Sequence, residues 1–83
     1  MTTINEAINI LAFFGKSIEP RSFFWRNRQI KIDKINLVHT SKNGASLFYH
    51  FSVSGGGNFY RICFDAGKMQ WILEEVDEDD SAY

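Results

Sequence analysis

The residues with the most chemistry to offer sit in one short stretch, Pro20 to Ile32, which reads PRSFFWRNRQIKI. Phe23, Phe24 and Trp25 run straight into Arg26, Asn27 and Arg28, with Arg21 before them and Lys31 after. Rings beside cations are what a single-stranded nucleic acid requires. Bases stack on aromatic faces, and guanidinium or ammonium groups neutralise phosphates. The plain alternative is the edge of a small core followed by a polar turn. The other reactive side chains are scattered. His39, His50 and Cys63 lack the paired spacing of a structural zinc site, so the expectation is surface or half-buried imidazoles, a small buried thiol and no metal. No nucleophile elbow or oxyanion loop accompanies them, so no catalytic residues and no enzyme are expected. The run Ser54-Gly55-Gly56-Gly57-Asn58 is followed by a strand pattern instead of the helix and Lys of a phosphate loop, and reads as a hairpin tip.

The elements that must position these residues are marked by regular punctuation. Turn signals fall at Gly15-Lys16, Asn27-Arg28, Lys42-Asn43-Gly44, Gly55 to Asn58 and Asp65 to Lys68, with short apolar or alternating runs between them. Strands so spaced indicate an all-β sandwich or barrel. With Asn27-Arg28 as a two-residue turn, Asn27 takes the positive φ such turns need. Trp25 then faces Ile30 and Phe23 faces Ile32 on one side. Phe24 faces Lys31 and Arg26 faces Gln29 on the other. Phe23 and Trp25 are therefore assigned to the core, and Phe24 either packs under the N-terminal segment or serves as the one ring that can stack on a ligand. Leu47, Tyr49, Phe51 and Val53 alternate with Phe48, His50, Ser52 and Ser54. Tyr60, Ile62 and Phe64 share one face of the next strand, and Arg61 and Cys63 share the other. Trp71 and Leu73 point inward from the last.

The N-terminal segment fits two readings. Ile4, Ala7, Ile8, Leu11 and Ala12 make a helical stripe with a Thr3/Glu6 capping box, and Ile8 to Phe14 also makes a buried strand.

Eighty-three residues make one domain with a thin core, because so short a chain buries only about 60% of its unfolded surface. One cysteine excludes an internal disulfide and suits a reducing compartment. Eight Phe, three Tyr and two Trp must supply the core instead. No signal peptide and no bilayer-spanning run is legible, so a cytoplasmic protein with no membrane role is expected. The net charge of −1 is polarised: residues 16 to 34 carry six cations against two acids, and residues 74 to 80 carry six acids. A basic face can exist despite the near-neutral total.

The run IEPRSFFWRNRQIKIDKI resembles a small bacterial family of uncharacterised all-β domains. Their pattern is a Pro, a spaced aromatic pair ending in Trp-Arg-Gly-Arg, an alternating strand, a Tyr-centred strand, a glycine-rich turn, a strand ending in Phe-Asp, and a last strand with Trp and Leu. The matching positions are Pro20, Phe23, Trp25, Arg26, Arg28, Ile30, Ile32, Tyr49, Phe64, Asp65, Trp71 and Leu73, with Asn27 in place of the usual Gly. The resemblance covers about residues 8 to 76 and implies a compact β fold with a strand at the N-terminal segment. Some members of that family occur beside or fused to translesion (Y-family) DNA polymerases, which implies an accessory role near DNA.

The combined expectation is an all-β domain over residues 1–76, with an acidic, disordered tail over 77–83. The domain is a small antiparallel meander of five to six strands curled into an open barrel, with a strand from about Ile8 after a short helical turn. Its core holds Ile10, Phe23, Trp25, Ile30, Ile32, Tyr49, Phe51, Ile62, Phe64, Trp71 and Leu73. The expected function is a non-catalytic interaction module without cofactors, binding single-stranded DNA or RNA through Arg21, Phe24, Arg26, Arg28 and Lys31. The rival is a protein-binding adaptor or homodimerisation module with no nucleic-acid role, for which Phe13, Phe48 and Ile72 are spare apolar groups.

Overall fold

β-Branched and aromatic residues at alternate positions, cut by Gly and Asn turns, leave this chain little but strand to form. The computed structural model describes residues 2–77 and contains seven strands. They are β1 (Thr2–Phe14), β2 (Ile18–Trp25), β3 (Arg28–Lys31), β4 (Lys34–Asn43), β5 (Ser46–Gly55), β6 (Asn58–Asp65) and β7 (Gln70–Asp77). All neighbours are antiparallel in one sheet of order β3-β2-β1-β7-β6-β5-β4. This is the chain order wrapped round on itself. β1 pairs with β7, and the one break lies between β3 and β4, so the sheet curls into a half-barrel with a single seam.

The all-β class and the curled meander agree with the sequence pattern. The strand number is seven, because Lys34–Asn43 is a strand of its own. The chain changes partners at Ile32 and Asp33. The Ile32 N–H donates to the Arg21 carbonyl at 2.9 Å and the Asp33 N–H to the Ser54 carbonyl at 2.7 Å. The apolar alternation slips by one residue at this crossover, from Ile30 and Ile32 to Ile35 and Leu37, but no glycine, proline or asparagine turn marks it in the sequence.

No helical turn forms at the N-terminus. β1 fills the space between β2 and β7, so both of its edges find ladder partners. Ile4, Ile8 and Ile10 pack against the core from one face. An irregularity between Thr3 and Glu6, with Asn5 at φ 52°, lets the strand run on past Ile8 to Thr2.

The concave face holds Phe23, Ile30, Phe51, Val53, Tyr60, Ile62, Phe64, Trp71, Leu73 and Val76. Phe23 meets Tyr60 edge to face at 5.1 Å, and Phe64 lies 4.8 Å from Trp71. Ile10, Trp25, Ile32 and Tyr49, expected in the core, flank it and are partly exposed. Val53, Tyr60 and Val76 join the buried set.

The β2–β3 register differs from expectation by two residues. Trp25 faces Arg28, Phe24 faces Gln29, Phe23 faces Ile30 and Ser22 faces Lys31. The turn residues are Arg26 and Asn27, both left-handed at φ 51° and 62°. Such a turn needs positive φ at both central positions. Arg26 is held there by its guanidinium, which stacks 4.5 Å over Trp25 and lies 3.7 Å from Glu6. A slip of two keeps the faces of Phe23 and Phe24 but changes every cross-strand partner.

Asp77, expected to begin the acidic tail, ends β7 and pairs with Phe59. The rest of that expected tail, residues 78–83, lies outside the described residues. Among the described residues, no helix is long and apolar enough to cross a membrane.

Candidate functional site

The convex face of the sheet divides into two halves of different chemistry. On β1, β2 and β3 the outward positions are Asn9, Leu11 and Phe13, then Phe24 and Ser22, then Gln29 and Lys31. Cross-strand pairing sets Phe24 between Asn9 and Gln29, and Ser22 between Leu11 and Lys31. Leu11, Phe13 and Phe24 are exposed by 58%, 61% and 46%. A bulge where Leu11 pairs with Ser22 and Ala12 with Pro20 leaves Arg21 unpaired in the ladder. Arg21 turns outward over the Phe13 ring, 5.5 Å from its centroid. Asn9, the β1 partner of Phe24, lies four positions before Phe13, roughly 13 Å at strand rise. The Gln29 amide donates to Ser22 Oγ at 3.4 Å and steadies the row between them.

The five cations and rings expected to act together are divided by this geometry. Arg21, Phe24 and Lys31 share the convex face. Arg28 faces Trp25 and stands on the same side as Ile30, at the mouth of the half-barrel. Arg26 belongs to a brace: Trp25 Nε1 donates to Glu6 Oε1 at 3.2 Å, and Arg26 meets the other carboxylate oxygen. Arg21 also pairs with Glu19 at 3.2 Å, an exposed contact worth at most ~1 kcal/mol that an incoming phosphate can replace. Among the described residues, Arg28 and Lys31 enter no ion pair. Phe13 and Leu11 were missing from the expected site. Their signal was present in β1, where Asn9, Leu11 and Phe13 alternate with Ile8, Ile10 and Ala12, but it stays hidden until β1 is read as a strand.

The other half, on β4 to β7, carries a cluster of titratable groups, with Leu37 and Phe59 exposed beside it. His39, His50, Cys63 and Ile72 form one row across four strands. His39 stacks on His50 at 4.7 Å with planes 13° apart. Ser41 Oγ lies 2.8 Å from His50 Nε2, and His50 Nδ1 lies 3.1 Å from Glu74 Oε1. The Cys63 thiol sits beside this pair, with the ligand atoms of His50, Cys63 and Glu74 all within 4.8 Å of one another. Burial, with the nearby Glu74 and Asp65 carboxylates, pushes Cys63 up to about 11. The sequence spacing of 50, 63 and 74 hid this cluster. The Gly56-Gly57 turn held the clue, because pairing Gly55 with Asn58 sets His50 opposite Cys63. Inside the half-barrel, an apolar cleft of about 490 Å³ opens between Ile18 and Ile35, Val38, Tyr49 and Phe51.

No family model matches the sequence, and no curated protein or solved structure matches it.

Proposed function

We propose that this protein is a non-catalytic binding module that holds single-stranded nucleic acid on the convex face of β1, β2 and β3. One observation carries the reading: two exposed phenyl rings, Phe13 and Phe24, stand on adjacent strands with Arg21 and Lys31 beside them. Stacking of a base on each ring and one phosphate on each cation is the chemistry of sequence-tolerant single-strand binding. Leu11 lies between the rings and gives an apolar floor for a sugar or base edge. A free thiol and a strand of nucleic acid both suit the cytoplasm.

NMR titration of labelled protein with a short mixed oligonucleotide tests this. Shifts should cluster on Leu11, Phe13, Arg21, Phe24 and Lys31 and shrink as salt rises. Shifts confined to Arg26 and Arg28 would move the site to the hairpin tip, and no shift at low salt would refute it.

A second reading, a protein-binding or self-associating module, rests on β4. This ten-residue strand is an open sheet edge, and Leu37 and Val38 on it are exposed. An unpaired edge can accept a strand from a partner.

A further inference from the structure

We propose that His50, Cys63 and Glu74 form a binding site for a divalent transition-metal ion of the zinc class, with water as the fourth ligand. This site lies on the β4 to β7 half of the convex face and does not depend on the nucleic-acid reading.

The sheet itself assembles the ligands. His50 on β5 and Cys63 on β6 are directly paired, so their side chains leave the same face. On β7 the register shifts: Arg61 pairs with Glu75 and Ile62 with Leu73, which leaves Glu74 between them without a ladder partner. That bulge brings the Glu74 carboxylate back to His50. Three different strands thus deliver one imidazole, one thiol and one carboxylate to a single spot, 4.8 Å across at its widest. Ligand atoms on a tetrahedral zinc ion, with bonds of about 2.0–2.3 Å, stand roughly 3.5 Å apart. His50 Nδ1 and Glu74 Oε1 are already closer than that, at 3.1 Å. Closing the remaining gap to Cys63 Sγ takes about 1 Å, within the reach of a χ1 adjustment.

The surroundings match what such a site uses. Ser41 Oγ holds Nε2 of His50, which fixes the ring with Nδ1 toward the cluster. A ligating histidine commonly donates its far N–H to an oxygen in this way. A thiolate and a carboxylate together cancel the charge of a dication. The mixed sulfur, nitrogen and oxygen set suits zinc better than magnesium or calcium, which take oxygen alone. The neighbouring charges are otherwise engaged: Glu75 pairs with Arg61 at 3.7 Å, and Asp65 accepts from the N–H groups of Gly67 and Lys68. His39 is stacked parallel on His50, so its ring nitrogens do not converge on the same point, and the fourth position is left to solvent.

The test uses the full chain, stripped with chelator and titrated with cobalt(II) as a spectroscopic stand-in for zinc. A thiolate-to-cobalt charge-transfer band should rise, saturate at one equivalent and vanish when zinc is added. Cys63→Ser should abolish the band. His50→Ala and Glu74→Gln should each weaken binding tenfold or more. Ser41→Ala should weaken it about 10- to 100-fold through the lost outer contact, and His39→Ala should leave it within about twofold. Circular dichroism confirms that each variant is folded. Wild-type protein supplies an independent readout, because zinc should shift the His50 Nδ1 resonance far more than that of His39. A folded chain with no band at saturating cobalt overturns the proposal. So does a band indifferent to His50→Ala and Glu74→Gln, or an unmoved His50 Nδ1.

Discussion

Phe24 and Arg28 are four residues apart and lie on opposite faces of the sheet, so a two-residue difference in where the hairpin turns decides which of them can meet the same ligand. If the convex face binds nucleic acid, Phe24→Ala and Phe13→Ala should each cost ~1–3 kcal/mol of binding, the worth of one stacked base. Arg28→Ala should cost almost nothing. Fluorescence anisotropy of a labelled oligonucleotide measures all three, and a large loss at Arg28 with none at Phe13 would place the ligand at the hairpin mouth. Cys63 gives a second prediction, made for chelator-treated protein. Its folded value, about 11, is raised above the ordinary thiol value of 9.0 by burial first and by Glu74 and Asp65 after it. The folded chain therefore keeps its proton where the unfolded chain loses it. The stabilisation is complete below pH 9 and disappears as pH climbs through 11. Urea midpoints should fall across that window and fall less in Cys63→Ala. Equal slopes would show that the thiol is not responsible.

At the level of elements, the tightest joint is where β3 lies against the end of β5. A Cβ added at Gly55 would collide with the Lys31 carbonyl oxygen. Gly55→Ala must push the strands apart and should cost at least the ~1–3 kcal/mol typical of overpacking. Gly44→Ala has open space but a φ of +64°, so it should cost only about 1 kcal/mol. Denaturant unfolding ranks the two, and the reverse order would contradict the packing of the seam. This joint was not legible in the sequence, where Gly55 is one glycine of a hairpin tip. What could be read were the local features: the turns at Lys42 to Gly44, Gly55 to Asn58 and Asp65 to Lys68, and the alternation that puts Phe51, Ile62 and Leu73 inside. Sequence spacing carries such features because neighbouring strands pair through short turns. It failed at Arg26, whose left-handed conformation depends on Trp25 beneath it and Glu6 nineteen residues before that ring. It failed again at the metal-ligand cluster, which needs three strands in register and a bulge. Both depend on contacts between distant parts of the chain.

Over the whole molecule, the antiparallel pairing of β1 with β7 sorts the charge. Glu74, Glu75 and Asp77 lie toward the Thr2 end of β1, where Thr3 pairs with Glu75 and Thr2 with Val76. Leu11 and Phe13 lie at the other end, about 26 and 33 Å along the strand from Thr3. That is well beyond the Debye length of about 8 Å at physiological salt, so the acidic end does little to repel a polyanion at the aromatic end. A net charge of −1 is thus compatible with phosphate binding. Two phosphate contacts, at Arg21 and Lys31, should give a slope of about −1.4 in log affinity against log salt, a loss of roughly sevenfold between 50 and 200 mM. Lys31→Ala should halve that slope. The β4 edge makes the opposite forecast. A partner or second copy added along Leu37 and Val38 would be held by main-chain hydrogen bonds and apolar contact, nearly indifferent to salt and weakened by Leu37→Lys. Oligonucleotide binding should therefore track salt and ignore Leu37→Lys, and self-association measured by sedimentation should ignore salt and respond to Leu37→Lys. If both assays followed Leu37, the convex face would lose its claim and the open edge would become the working surface of the fold.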